Sequence, residues 1–114
     1  MVRIAPSILS GNFLNLEPDI RMVNKNADLI HIDVMDGSFV PNISFGFPVV
    51  EAIAKAVTVP MDVHLMIVNP DKYVGRFAKT GAEMISFHLE AADQAGKDPR
   101  DIIAQIKSFG VKAG

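Results

Sequence analysis

Four short stretches of the chain are mostly apolar: VRIAPSIL (2–9), LIHIDVM (29–35), MDVHLMI (61–67) and EMISFHL (83–89). Their centres lie roughly 22 to 32 residues apart, the spacing of repeated strand-and-helix units. Between them the period lengthens. Phe13, Leu16, Ile20 and Val23 recur at helical intervals, as do Tyr73, Val74 and Phe77, and then Ile102, Ile103, Ile106 and Phe109. Each such stripe predicts a helix that lays one apolar face on a sheet. FPVVEAIAKAV predicts a further helix starting near Pro48. Asn69-Pro70 and Asp98-Pro99 read as N-caps followed by proline at the first helical position, and Gly81 and Gly110 sit where helix C-caps end. The predicted order is βαβαβαβα, an α/β domain of parallel strands. The closing GVKAG reads as the opening of a fifth strand.

Inside the second and third runs the alternation carries chemistry. Side chains of a strand point to opposite faces in turn, so His31, Asp33 and Met35 share one face while Ile32 and Val34 take the other. Asp62, His64 and Met66 repeat that arrangement. Gly37, Pro41 and Asn42 then mark a loop, which puts the polar cluster at the carboxyl end of a strand, where α/β folds keep their sites. If both faces meet in one cavity, His31, Asp33 and His64 offer two nitrogens and a carboxylate to a divalent metal. A single strand-end histidine is by default a hydrogen-bonded core residue; two at matching strand ends favour the ligand reading. The fourth run sets Ser86, His88 and Glu90 on one face, which brings a third histidine toward the same mouth. Ser7 supplies the one hydroxyl at the end of the first run, either for a ligand or for a turn. Met35 and Met66 are either core filler or an apolar floor beside a substrate. Asp36 is expected to tie down the loop.

Composition narrows the partners. With 49% hydrophobic residues, 21% charged residues and a net charge of −2, the 114-residue chain has the make-up of one globular domain. It has no basic run to meet nucleic acid or an anionic membrane, so a small molecule is the expected partner. No cysteine is present, so any metal must use nitrogen and oxygen ligands. Pro6 interrupts the first apolar stretch, which therefore lacks the long core of a signal peptide, and no run reaches membrane-spanning length; a cytoplasmic protein is expected. Asn42-Ile43-Ser44 fits a glycosylation pattern too common to carry weight. No glycine-rich phosphate loop and no G-x-S-x-G elbow occurs, which argues against nucleotide hydrolysis and acyl transfer.

The segments IAPSIL, DLIHIDVMDGSFVPNISFG, MDVHLMIVNP and ISFHLEA, in this order and spacing, resemble the amino-terminal half of the ribulose-phosphate 3-epimerase family along essentially the whole chain. The resemblance implies a (β/α)8 TIM barrel, here its first four βα units. It also implies a cytoplasmic isomerase of the pentose phosphate pathway that interconverts D-ribulose 5-phosphate and D-xylulose 5-phosphate. It makes His31, Asp33 and His64 ligands of one divalent ion (Zn, Fe, Mn or Co). Asp33 becomes one of two acid/base carboxylates that remove a proton beside a ketone and return it on the other face. Ser7 and His64 would contact the phosphorylated ketose, with Met35 and Met66 lining the pocket beside the reacting carbons. A homo-oligomer is expected.

The family pattern also places a second carboxylate and a fourth ligand on a seventh strand, and a phosphate site after strands seven and eight. None of these falls within residues 1–114, which read as a single partial barrel domain cut at the start of the fifth strand. Ser38 stands where the family commonly has a basic residue. Catalysis by this chain alone is therefore expected to be incomplete. A neighbouring reading is a 3-epimerase of D-allulose 6-phosphate, and one from another class is a noncatalytic half-barrel that binds metal or self-associates.

Overall fold

The computed structural model describes residues 1–114. Strands β1 (Ile30–Met35), β2 (Met61–Met66), β3 (Met84–Phe87) and β4 (Lys112–Ala113) form one parallel sheet in the order β1-β2-β3-β4. Helices α1 (Glu17–Asn26), α2 (Phe47–Ala56), α3 (Val74–Lys79), α4 (Leu89–Gln94) and α5 (Pro99–Ser108) occupy the connections. Strands that follow one another in sequence also lie side by side. That order belongs to a barrel wall, whereas a doubly wound sheet reverses its order at a switch point. The architecture is thus α/β, four parallel strands alternating with helices, as in half of a (β/α)8 barrel.

The alternation read from the sequence sorts the two faces. Ile30, Ile32 and Val34 of β1, Met61, Val63 and Leu65 of β2 and Ile85 of β3 are buried in one cluster with Ile20 and Val23 of α1, Val50 and Ile53 of α2, Val74 and Phe77 of α3, and Ile102 and Ile106 of α5. Burial of this apolar surface drives the helices onto one side of the sheet. The opposite face carries His31, Asp33, Met35, Asp62, His64 and Met66, most of them half-buried.

Five expectations need correction. The run at 2–9 is not a full strand: it pairs with β1 through a single parallel bridge, Ser7 to His31. Leu29 N–H donates to the Ile4 carbonyl (3.1 Å) and His31 N–H to the Pro6 carbonyl (2.9 Å). The return bond for an Ala5–Leu29 bridge would have to come from residue 6, a proline without an N–H. The expected fifth strand instead supplies the fourth member of the sheet, with Lys112 and Ala113 paired to Met84 and Ile85.

Phe13 lies ahead of α1 rather than on it, because Asn12 organises a turn, its side chain accepting from Leu14 N–H (3.1 Å), and the helix begins at Glu17 with Pro18 in its first turn. Asn69 does not cap with its side chain; it takes a left-handed φ of 50° ahead of a 3₁₀ turn at Pro70–Lys72. Finally, β3 stops at Phe87, so Glu90 belongs to α4 and does not share a strand face with Ser86. Other signals agree with the structure: Asp98 caps α5 by accepting from Arg100 N–H (2.9 Å), and Gly81 and Gly110 adopt φ of +93° and +77°.

Candidate metal centre

Register decides which polar groups meet. β1 and β2 align His31 with Asp62, Asp33 with His64, and Met35 with Met66, so each acid stands across from an imidazole. His31 Nε2 lies 3.0 Å from Asp33 Oδ1, and His64 Nδ1 lies 2.9 Å from the same oxygen. Two rings from neighbouring strands thus converge on one carboxylate atom. Ligand atoms of the three residues all fall within 4.8 Å of one another. Ligand atoms bound at about 2.0–2.2 Å to one ion stand at most about 4.4 Å apart, so a small inward movement of these side chains would let all three hold one ion, and an N/N/O donor set suits zinc, manganese, iron or cobalt. The residues therefore fit a divalent metal.

The remaining atoms of the cluster are also engaged. His31 Nδ1 lies 2.9 Å from Asp62 Oδ2, the arrangement in which a carboxylate orients a ligating imidazole. The Ser7 hydroxyl donates to Asp33 Oδ2 and itself accepts from Leu9 N–H (3.2 Å). Partial burial alone would raise the Asp33 carboxyl. The bonds from Ser7 and His64, with the nearby His31, outweigh it and hold the group below the usual carboxylate range. Asp33 is therefore ionised at neutral pH.

The loop after β1 is fixed at both ends. Ser44 Oγ donates to the Asp33 carbonyl (2.7 Å) and accepts from Met35 N–H (2.9 Å). Asp36 accepts from the N–H groups of Ser38 (2.9 Å) and Phe39 (2.8 Å), and across to Val68 (2.8 Å) in the loop after β2. It ties the loop, as its position after the strand foretold. Gly37 turns there at φ +73°, and a Cβ on it would stand 2.6 Å from Ile43 Cγ1.

Each residue singled out in the sequence has a definite place. His31, Asp33, His64 and Ser7 come together. Met35 and Met66 pair in register one step beyond Asp33 and His64, on the same half-exposed face. Met35 also borders an apolar cleft of about 310 Å³ with Phe45, Phe47 and Phe77, to which none of the three ligand-type side chains contributes. His88 does reach the cluster: its Nε2 lies 2.8 Å from His64 Nε2, and Phe39 packs on its ring with centroids 5.1 Å apart. Asp62 is the residue whose part sequence reasoning missed. Its place on the His64 face was legible, but its pairing with His31 depends on a register that no single strand encodes.

Residues 3–114 match the family model described as the ribulose-phosphate 3 epimerase family. The chain is 50% identical over 115 residues to "Ribulose-phosphate 3-epimerase" of Bacillus subtilis (strain 168), covering 100% of this chain and 51% of that protein. It is 49% identical over 112 residues to the protein of the same name from Synechocystis sp. (strain ATCC 27184 / PCC 6803 / Kazusa), covering 97% and 48%. It is 46% identical over 112 residues to "Ribulose-5-phosphate-3-epimerase, chloroplastic" of Arabidopsis thaliana, covering 97% and 39%. The chain spans about half the length of most of the curated relatives it matches.

Proposed function

Because the chain belongs to the ribulose-phosphate 3-epimerase family, we propose that it carries one half of the active site of an isomerase that interconverts D-ribulose 5-phosphate and D-xylulose 5-phosphate. The observation that carries this reading is the convergence of His31 Nε2 and His64 Nδ1 on Asp33 Oδ1. His31, Asp33 and His64 would hold a divalent ion, which supplies positive charge where negative charge develops on the substrate oxygens. Asp33 Oδ2, on the side away from the imidazoles, takes the proton from the carbon beside the ketone. Ser7 exchanges its bond to Asp33 for one to the substrate. Met35 and Met66 form an apolar floor that keeps water from the reacting carbons.

Epimerisation needs a second carboxylate on the other face of the substrate. Asp62 is held by His31 Nδ1 on the same face of the sheet as Asp33, and Glu90 is exposed in α4, so neither is suited to that role. The family pattern puts the second acid on a seventh strand. Residues 1–114 are read as one partial barrel domain, with a phosphorylated pentose preferred over D-allulose 6-phosphate because the relatives' names specify ribulose phosphate. The cytoplasmic location and the homo-oligomer expected from the sequence remain part of the proposal; the name of the Arabidopsis thaliana relative assigns that protein to the chloroplast. No helix is long and apolar enough to cross a membrane.

The three-residue cluster also suits a second reading, a noncatalytic half-barrel that binds metal. One experiment separates the two. The chain is incubated in D2O with Zn2+ and either D-ribulose 5-phosphate or D-allulose 6-phosphate, and the C3 proton is followed by NMR. Metal-dependent loss of that signal from the pentose supports the half-site; an unchanged signal in metal-loaded protein supports the noncatalytic reading.

A further inference from the structure

His88 stands outside the three-residue cluster, yet it makes the closest contact to the far side of His64. Its Nε2 is 2.8 Å from His64 Nε2, and the two rings stack with centroids 5.0 Å apart and planes 29° apart. Two imidazole nitrogens at that separation share one proton: one ring donates and the other accepts. We propose that His88 is a positioning residue that holds His64 in the orientation needed for metal binding and pairs with it in either tautomer.

Proton placement follows from the neighbours and rests on the metal reading proposed above. Without a metal, the ionised Asp33 can only accept, so neutral His64 keeps its proton on Nδ1. Its Nε2 is then an acceptor, and His88 must donate from Nε2. When His64 Nδ1 gives its lone pair to an ion, the His64 proton must sit on Nε2. His88 then accepts at Nε2 and carries its own proton on Nδ1, the atom 4.0 Å from Glu90 Oε2. Each ring has one proton before and one after, so the pair passes between the two states with no net gain or loss. A carboxylate in place of His88 could serve only the metal-bound state, because it cannot donate. An imidazole serves both.

The fold supports this placement. β3 ends at Phe87, and His88 adopts extended geometry (φ −98°, ψ 135°) as the N-cap residue of α4, so its ring projects from the carboxyl end of the sheet. Phe39, from the loop tied by Asp36, packs against the same ring.

The test compares the wild-type chain with His88→Phe, which keeps an aromatic ring against Phe39, and with His88→Gln, which restores a side chain able to donate or accept. Zn2+ affinity is read by competition with a chromophoric chelator, and histidine tautomers by long-range 1H–15N correlation at mildly alkaline pH. We expect His88→Phe to weaken Zn2+ binding about 10- to 100-fold and His88→Gln to recover most of that loss. In wild type, the His64 proton should move from Nδ1 to Nε2 on Zn2+ addition. Equal affinity in His88→Phe and wild type, or no recovery in His88→Gln, overturns the proposal. If wild type takes up no Zn2+, the metal reading falls, and the metal-free tautomers still decide the pairing: His88 protonated on Nε2 upholds it, and on Nδ1 overturns it.

Discussion

His31 and Asp62 face each other across β1 and β2, with the imidazole Nδ1 2.9 Å from the Asp62 carboxylate. That contact turns Nε2, the nitrogen that would bind an ion, toward Asp33 Oδ1. Replacing the acid should therefore loosen a ligand without touching the metal position. Asp62→Ala is expected to weaken Zn2+ binding about 10- to 100-fold, with Asp62→Asn closer to wild type because its amide oxygen still accepts. Isothermal titration of the two variants measures the difference; wild-type affinity in Asp62→Ala would remove Asp62 from the site.

Asp33→Asn keeps the volume of the side chain but cannot take up a proton. Exchange of the pentose C3 proton should fall by at least about 100-fold in metal-loaded protein. NMR in D2O measures it, and exchange at the wild-type rate would leave Asp33 as a ligand only.

Asp36 predicts an acid-sensitive loop. Its partial burial would raise the carboxyl, but the N–H groups of Val68, Ser38 and Phe39 prevail and hold it below its ordinary value. A carboxyl depressed in the folded state contributes stability that is present above the unfolded value and lost as pH falls through the folded one. Asp36→Ala should cost about 1.5–3 kcal/mol near neutral pH. The deficit relative to wild type should shrink below about pH 4, the ordinary range of an aspartate. Urea melts across pH provide the check, and a deficit that stays constant into acid would contradict it.

The two faces of β1 should respond differently to truncation. Ile32 is fully buried, so Ile32→Ala is expected to cost about 2–5 kcal/mol. Met35 on the opposite, half-exposed face should cost clearly less on truncation to alanine. Chemical denaturation of both variants tests the assignment of faces.

The half-exposed sheet face that carries Met35 and Met66 predicts self-association of residues 1–114. Sedimentation at micromolar concentration should show dimers or larger species, with bound hydrophobic dye. A dye-free monomer would refute this.

Alternation made much of this site legible. The parity of His31, Asp33 and Met35, and of Asp62, His64 and Met66, follows from strand geometry, and the structure keeps it. What the chain did not display was decided between segments or by a missing donor. Pro6 reads as apolar, yet its lack of an N–H reduces the first run to a bridge. The apolar letters of EMISFHL continue past the point where the chain leaves the sheet, and Ala91 and Ala92, both buried in α4, were the local sign of a helix. Phe13 kept helical spacing with Leu16 although the turn at Asn12 had already claimed it.

The pairing of acids with imidazoles across β1 and β2 also bears on how the chain finds its fold. A slip of one residue would put the buried Ile32 and Val63 on opposite faces of the sheet, so one of them would leave the core. Slips of two preserve the faces, so burial alone does not penalise them. One of them sets Asp33 against Asp62, two like charges directly opposed; the other sets Asp33 against Met66 and His31 against His64. Among these even registers, only the observed one matches both acids with imidazoles. The groups gathered for chemistry therefore act as a key that discriminates between otherwise equivalent misalignments of β1 and β2, and stripping them together should leave a sheet that forms but no longer knows its own register.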